Sequence, residues 1–522
     1  SRGLGDVYKR QNKKMNLVYI FTLALITIAT CINSVRWERI AQREHYIPSY
    51  VSKFYFRWVR SRGLNRFIFF ITLILCIVSL FLIYIPILIS AINLVTPIGL
   101  SFKPRTSKVE KTERLKRATY LYFFLVISIS LASFTLGYGY LLALAANMFS
   151  YFIYDQSLRL LFNYEKNRSR HFVNDASKKL NSAQIPVIGI TGSYSKTTTK
   201  NILAQILGLS NNVFVTPESY NNRLGIAKSI NENFQDDQEL AIIEMGTYSN
   251  GEIREICSWV RPHISVITGI APVHLERMKS LENILDAKSE IVELAGSVVI
   301  NGDDEMLLTE ARLWTNQKNV YDCSITSREA TVCVEYEDGK HDIYVANNLL
   351  GSINGPKLLQ LSISLSIGVM LALDLDIREY INNLDTLDKS KHRQNILESD
   401  LGHTIIDNSF NSNPMGVEFS LETLGQLGNE ESLRFLVTPG MVELGSDQFA
   451  INYAFASEAS QVVDEALIIG NTNKNALKTG FQENNTRYQI FTNRDEAVSY
   501  LNSIVKPEDI VLYENDLPDH YP

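Results

Sequence analysis

The sequence predicts an N-terminal, multi-span α-helical membrane region followed by two α/β domains. Three observations carry that prediction. The first is a division of charge. A net −6 over 522 residues hides 20 Lys/Arg against 6 Asp/Glu in residues 1–155, and 30 against 50 in the remainder. The second is a set of long uncharged runs confined to the basic third. The third is a series of short, β-branched apolar runs from Ile185 onward, alternating with helical stretches, which restarts near Asp388. A chain of this length holds more than two domains' worth of sequence.

At the N-terminus, Ser1–Gln11 (SRGLGDVYKRQ) resembles a translated adapter sequence. Residues 1–14 are therefore set aside as a scar, with Met15 the better candidate start. The membrane region is expected over 15–155. Leu17–Ile32 is an uninterrupted apolar stretch, long enough to span if its flanks reach the interface. A signal peptide is the alternative, although no small-residue cleavage site stands out. Phe67–Leu100 has no charge; as one helix it would be about 50 Å long, against a hydrocarbon core of about 30 Å. Pro86 near its middle favours two shorter spans. Ala118–Tyr154 is also uncharged, with Gly137-Tyr138-Gly139 as its natural turn.

The loops between these runs are basic. One carries Arg36, Arg39, Arg43, Lys53, Arg57, Arg60, Arg62 and Arg66; the other carries Lys103, Arg105, Lys108, Lys111, Arg114, Lys116 and Arg117. The positive-inside rule places both on the cytoplasmic side. Loops sharing a side are separated by an even number of crossings, so each uncharged run should be a hairpin. That gives about five spans, a multi-pass protein of the cell membrane, and cytoplasmic domains after Asp155. Charges clustered between apolar runs form a membrane pattern and not a nucleic-acid stripe. Cys31, Cys76, Cys257, Cys323 and Cys333 lack Cys-x-x-Cys spacing, which argues against structural zinc and a disulfide framework.

Residues 156–184 read as a connector, either amphipathic and close to the membrane surface or an ordinary helix packed on the next domain. The runs PVIGIT, ELAIIEM, HISVIT and SVVIN have the composition of buried parallel strands and define a domain over 185–387. HTIID, RFLVT, EALIIG and DIVLY define a second over 388–522.

The chemistry begins at Gly189–Lys200, GITGSYSKTTTK. A buried strand leads into a Gly-containing turn and a helix opens at Lys196, which points backbone N–H groups and a helix N-terminus at an anion. Gly192, Ser193, Tyr194, Ser195, Lys196, Thr197 and Thr198 form this phosphate-binding loop. Lys196 would reach the β/γ-phosphates of ATP, and the Thr197 hydroxyl would sit on Mg²⁺. Glu244 ends a strand where a carboxylate can hold Mg²⁺ beside the loop; the alternative is a strand-end Glu in solvent. Composition alone makes His274 a structural histidine, Lys288 a helix-surface lysine, and Asn301 with Asp303 a strand-to-loop turn.

Further segments narrow the choice. They are TPESYNNRLG (Thr216–Gly225), AIIEMGTYSNGEI (Ala241–Ile253), ITGIAPVHLERMKSLENILDAKSEI (Ile267–Ile291), HRQ (His392–Gln394), IIDNSFNSNP (Ile405–Pro414) and TPGMVELG (Thr438–Gly445). With the loop, and in this order, they resemble the Mur ligases, most of all the branch that adds D-alanyl-D-alanine to a muramoyl tripeptide. The resemblance spans Ile185 to the C-terminus. It implies a central P-loop ATPase domain and a C-terminal Rossmann-like domain. It also implies Mg²⁺ ligation by Glu244 and a second Mg²⁺ held with help from His274. Lys288 would be carbamylated into a carboxylate-like ligand, which requires a neutral amine and hence a pKa lowered by burial or a nearby cation. By the same resemblance Asn301 lies near the adenine, and Arg393 and Asp407 close over ATP. Asn221, Asn222, Asn411 and Asn413 face the substrates.

Three departures stand out. Ser195 replaces the glycine before Lys196, Asn408 stands where related ligases carry a second Asp, and Ile353 and Lys357 stand where His and Asn are usual. No room is left between Asp155 and Ile185 for the soluble domain that binds the UDP-sugar, so a donor held at the bilayer is expected. The implied reaction joins a carboxylate-bearing peptide or glycopeptide donor to an amino-acid or dipeptide acceptor through an acyl phosphate, in peptidoglycan peptide assembly. A poly-γ-glutamate-type polymer ligase is the runner-up. A degenerate nucleotide-binding membrane scaffold is the reading from another class.

Overall fold

A computed structural model describes residues 2–61, 63–79, 84–100, 102, 109–135, 140–217, 220–383, 387, 395–409, 414–429, 431–516 and 521. The chain divides into two units, Ser1–Arg168 with Leu517–Pro522, and Ser169–Asp516.

The first unit is helical. Its elements are Arg2–Ile32, Ser34–Arg43, Tyr50–Ser61, Gly63–Val78, Ile85–Val95, Glu113–Thr135, Leu141–Met148 and the start of Ser150–Ser182. Its core is aromatic: Trp37, Trp58, Tyr122 and Tyr154 are buried, and Tyr55 stacks on Tyr151 with centroids 3.8 Å apart. Several polar groups inside this core are paired. Tyr122 Oη donates to the Thr30 carbonyl at 2.7 Å, and Asp155 accepts the Ser52 amide at 2.8 Å at the start of helix Tyr50–Ser61.

The large apolar residues outside the core form stripes. On Gly63–Val78, Leu64, Phe67, Phe70, Ile74 and Ile77 are exposed. On Glu113–Thr135 the exposed set is Tyr120, Phe124, Ile127, Leu131 and Phe134, while Ala118, Tyr122 and Val126 point inward. Steps of three and four residues place each stripe on one face of its helix.

Among the described residues, two helical stretches, Leu17–Arg43 (running on through Asn33) and Glu113–Thr135, are long and apolar enough to cross a bilayer. A third span results if Tyr50–Arg60 and Gly63–Val78, bent by 110°, count as one. Sequence reading expected about five. The difference lies in the hairpins. Ile85–Val95 has Pro86 in its first turn and only 11 residues, about 16 Å of helix, well short of a hydrocarbon core of about 30 Å. Leu141–Met148 is shorter still. The expected turn at Gly137-Tyr138-Gly139 lies outside the described residues.

In the second unit, two sheets carry the site. The first has strands β1 (Val187–Thr191), β2 (Val213–Val215), β3 (Leu240–Glu244), β4 (Ile264–Ile267), β5 (Ser297–Asn301), β6 (Asn319–Ser324), β7 (Val332–Glu337), β8 (Lys340–Val345) and β9 (Asn348–Asn354). Their order is β2-β3-β1-β4-β5-β6-β7-β8-β9. From β2 to β7 neighbours run parallel; β8 and β9 add an antiparallel edge. The sheet is therefore mixed, where four parallel strands were expected. Helices cover both faces of β1, β3, β4 and β5, so their side chains are buried, Ser297 at the start of β5 excepted, and their sequences read as continuous apolar runs. The second sheet has β10 (Asn395–Glu398), β11 (Thr404–Asn408), β12 (Arg434–Thr438), β13 (Glu465–Ile469), β14 (Arg487–Phe491) and β15 (Ile510–Glu514), in the order β10-β11-β15-β12-β13-β14. Only β10 runs antiparallel to its neighbour.

Helix Ser150–Ser182 resolves the connector's two readings for its last turns. Val173, Ala176 and Leu180 are buried against Phe214, Ile226 and Trp259 of the first sheet's surround.

Candidate active site

The carboxyl ends of β1, β3 and β4 converge, which is where an open α/β sheet builds its ligand crevice. After β1 the chain turns at Gly192, whose φ is +148°. A Cβ there would stand 2.0 Å from Thr268 Oγ1, so only glycine fits. The Ser193 amide donates to the Gly269 carbonyl at 2.8 Å, and Thr268 Oγ1 donates to the Tyr194 carbonyl. These bonds tie the loop to the end of β4. Helix Lys196–Leu207 then opens from Ser195, which sits in the left-handed region at φ +57°. A residue with a Cβ pays roughly 1 kcal/mol for that conformation, and this is the physical content of the missing glycine.

Thr197 Oγ1 donates to Glu244 Oε2 at 3.0 Å. Glu244 is buried, not in solvent, and accepts two more side chains: Asn221 Nδ2 at 3.1 Å on Oε1 and the buried Lys200 Nζ at 3.2 Å on Oε2. A hydroxyl and a carboxylate side by side at a helix N-terminus are hard oxygen donors, the type that Mg²⁺ prefers. These residues fit a Mg²⁺ ion next to a phosphate chain. Among the described residues no three His, Cys, Asp or Glu side chains form a metal-sized cluster.

Lys288 is not a surface lysine. It is buried on helix Leu281–Ser289, and its Nζ donates to the Gly192 carbonyl at 3.0 Å. Lys196 Nζ donates to the same carbonyl at 2.6 Å. Burial first, and the neighbouring Lys196 cation second, hold the Lys288 amine well below the ordinary lysine pKa. That favours the neutral, nucleophilic amine.

Tyr194 is folded into the structure. Its ring packs where a Cβ on Gly269 would have to stand, and Asn301 Nδ2 donates to its hydroxyl at 3.1 Å. Burial, with Asp304 next in weight, pushes its pKa up to about 12. Thr198 is buried in the first turn of the helix. His274 lies elsewhere in the hydrogen-bond network: its Nδ1 bonds Glu443 Oε2, and its ring meets Tyr248 edge-on at 4.9 Å.

The remaining expected residues are scattered or out of view. Asn222 accepts the Gly225 amide at 2.9 Å and caps helix Arg223–Asn233. Asp407, on β11, accepts the Ser409 amide and hydroxyl at 3.1 and 2.6 Å. Its neighbour Asn408 donates to the buried Glu514 carboxylate at 2.9 Å. Lys357 pairs with Glu422 at 2.6 Å, and Ile353 is a core residue. Arg393, Asn411 and Asn413 lie outside the described residues. Sequence reasoning missed Lys200 and Glu443. Lys200 is signalled only by its place one turn after Lys196; Glu443 sits inside the quoted TPGMVELG segment.

Residues 190–354 match the model of the Mur ligase middle domain, and residues 392–513 match that of the Mur ligase, glutamate ligase domain. The chain belongs to the Mur ligase family. Mur ligases are ATP-dependent enzymes that form an amide with release of ADP. Similar curated proteins include three named UDP-N-acetylmuramoyl-tripeptide–D-alanyl-D-alanine ligase. That of Synechocystis sp. is 27% identical over 63% of this chain and 71% of its own length. Those of Rickettsia prowazekii and Bacillus subtilis are 28% and 26% identical, over 51% and 50% of this chain. The chain spans only 61% and 57% of these two relatives. Among solved structures, MurF from Acinetobacter baumannii superposes with a TM-score of 0.58 at 21% identity, covering 66% of this chain and 77% of that one. The MurF ligase from Thermotoga maritima in complex with ADP gives 0.56 at 24% identity, covering 66% and 80%. These two likenesses are likenesses of fold.

Proposed function

We propose that this Mur ligase is a membrane-anchored, multi-pass enzyme with cytoplasmic ligase domains over 185–387 and 388–522. It would act in peptidoglycan peptide assembly, joining a muramoyl-tripeptide-type donor to a D-alanyl-D-alanine-type acceptor. A carboxylate of the donor attacks the γ-phosphorus of ATP, giving an acyl phosphate and ADP. The acceptor amine then attacks the acyl carbon, forming the amide and releasing phosphate and the amine's proton. Lys196 and the loop amides would hold the phosphates, Thr197 and Glu244 a Mg²⁺ ion, and Asn301 the base. Bound Mg²⁺ neutralises charge on the phosphates. Arg393 and Asp407 would close over ATP, while Asn221, Asn222, Asn411 and Asn413 would meet the substrates. The membrane part of the reading is supported by the exposed apolar stripes and the basic loops; a bilayer-held donor gains effective concentration by confinement.

One observation carries the catalytic reading: a buried Lys288 whose amine meets Lys196 at the Gly192 carbonyl, beside the phosphate loop. Carbon dioxide adds to a neutral lysine amine to give a carbamate and a proton. A carbamate at Lys288 would turn a buried, neutral amine into an anionic ligand. The degenerate-scaffold reading leaves that buried amine without a purpose. The test is Lys288→Ala. We expect ligation to be lost and to return in part with short-chain carboxylates that fill the gap. Near-normal turnover by the variant would refute the assignment.

A further inference from the structure

We infer that Glu443, supplied by the C-terminal α/β domain, is a positioning residue that orients His274 of the central domain toward a bound metal ion. The inference rests on the second-metal role that the resemblance to the Mur ligases implies for His274 and that we propose for this chain.

The geometry is specific. His274 Nδ1 is hydrogen-bonded to Glu443 Oε2. A carboxylate accepts, so Nδ1 carries a proton and Nε2 is the ring nitrogen left to face a metal ion. Metal-binding histidines are commonly held this way, the carboxylate fixing tautomer and ring direction and raising ligand basicity. Two further contacts hold the carboxylate in register. The Glu276 amide donates to the Glu443 carbonyl at 3.0 Å, and Gly445 lies against the Leu275–Glu276 backbone, with its Cβ position 3.6 Å from the Leu275 carbonyl. Both partners are also held in the left-handed region, His274 at φ +58° and Glu443 at +65°. Non-glycine residues keep such angles where the surroundings over-determine them, often at ligand sites. Tyr248 closes the other side of the imidazole, with the Arg277 guanidinium 4.9 Å above its ring.

The consequence is that one ligand of this metal site would be oriented by the other domain. His274 is presented correctly only while the Thr438–Gly445 segment is docked on Leu275–Met278. Metal affinity would then report domain arrangement. This gives the TPGMVELG segment a task in metal binding.

The experiment measures Mn²⁺ binding to the full-length protein in detergent by electron paramagnetic resonance, with a non-hydrolysable ATP analogue present. It compares the parent with His274→Ala, Glu443→Ala, Glu443→Gln and Glu443→Asp, each checked for an unchanged thermal midpoint. We expect His274→Ala to remove one Mn²⁺ site. Glu443→Ala and Glu443→Gln should weaken that site by about tenfold to a hundredfold, raise the Mg²⁺ needed for half-maximal turnover, and leave the other site unchanged. Glu443→Asp should restore part of the loss. Unchanged Mn²⁺ binding in both Glu443→Ala and Glu443→Gln, with the site lost in His274→Ala, would overturn the inference alone. Unchanged binding in His274→Ala would overturn the metal role of His274 and the inference with it.

Discussion

At the scale of single residues, the departures from the family pattern have local explanations. Ser195 holds a left-handed turn that glycine adopts without strain, so Ser195→Gly should raise stability by about 0.5–1 kcal/mol. A thermal denaturation series would show it, and a lower midpoint would contradict the strain argument. Asn408 is matched to Glu514. Its amide supplies the hydrogen bonds that a buried carboxylate requires, and an Asp in its place would set two carboxylates about 3 Å apart. Asn408→Asp should destabilise the protein by about 1–3 kcal/mol at pH 7. The sign follows from the pair's shared proton: crowding raises the folded-state pKa, so the loss shrinks as pH falls toward 4. Adding Glu514→Gln should rescue the variant, and failure of that rescue in thermal melts would dismiss the pairing. The catalytic candidates were legible as residue types, but their burial was not. Lys288 reads as a surface lysine from its helix alone, because its neighbours at Gly192 and Lys196 are 96 and 92 positions away in sequence.

At the scale of elements, legibility followed burial. β1, β3, β4 and β5 are covered on both faces and announce themselves as apolar runs, as do β12, β13 and β15; β11, with only Ile406 buried, shows itself by the Ile405-Ile406 pair. The strands β6, β8 and β9 are half exposed, with polar residues such as Asn319, Asp322, Lys340 and Asn348 among their positions, and they give no such signal. The edge strands β10 and β14 are silent for the same reason. His341 marks the price of one of these elements. It is buried on β8, its Nε2 bonds the Pro356 carbonyl at 3.2 Å, and burial lowers its pKa despite that bond. The fold therefore holds the neutral ring, and the unfolded chain binds the extra proton. Stability should be constant above about pH 6.5 and fall below it, by at most about 1.4 kcal/mol per pH unit. His341→Gln should flatten the difference between melts at pH 5 and pH 7.5; an unchanged difference would acquit this histidine.

At the scale of the whole molecule, charge distribution was the most legible property and span count the least. Composition tells where a helix is apolar, while its length depends on where loops and kinks fall, and Ile85–Val95 ends too early for a straight crossing. The topological proposal still makes a clean prediction. A cysteine placed at Thr106, in the second basic loop, should resist labelling by a membrane-impermeant reagent in intact cells and react after permeabilisation. Efficient labelling from outside would sink the arrangement of both basic loops on the cytoplasmic side. Finally, the shared Gly192 carbonyl has a kinetic corollary. With the Lys288 amine neutral, Lys196 is the charged partner of this oxygen, and a tetrahedral oxyanion that reaches Lys196 and the loop amides is held whatever it is attached to. The loop is therefore tuned to the anion rather than to the nucleotide. Inorganic phosphate, a product of the reaction, should compete for it, making the enzyme slow as its own waste accumulates.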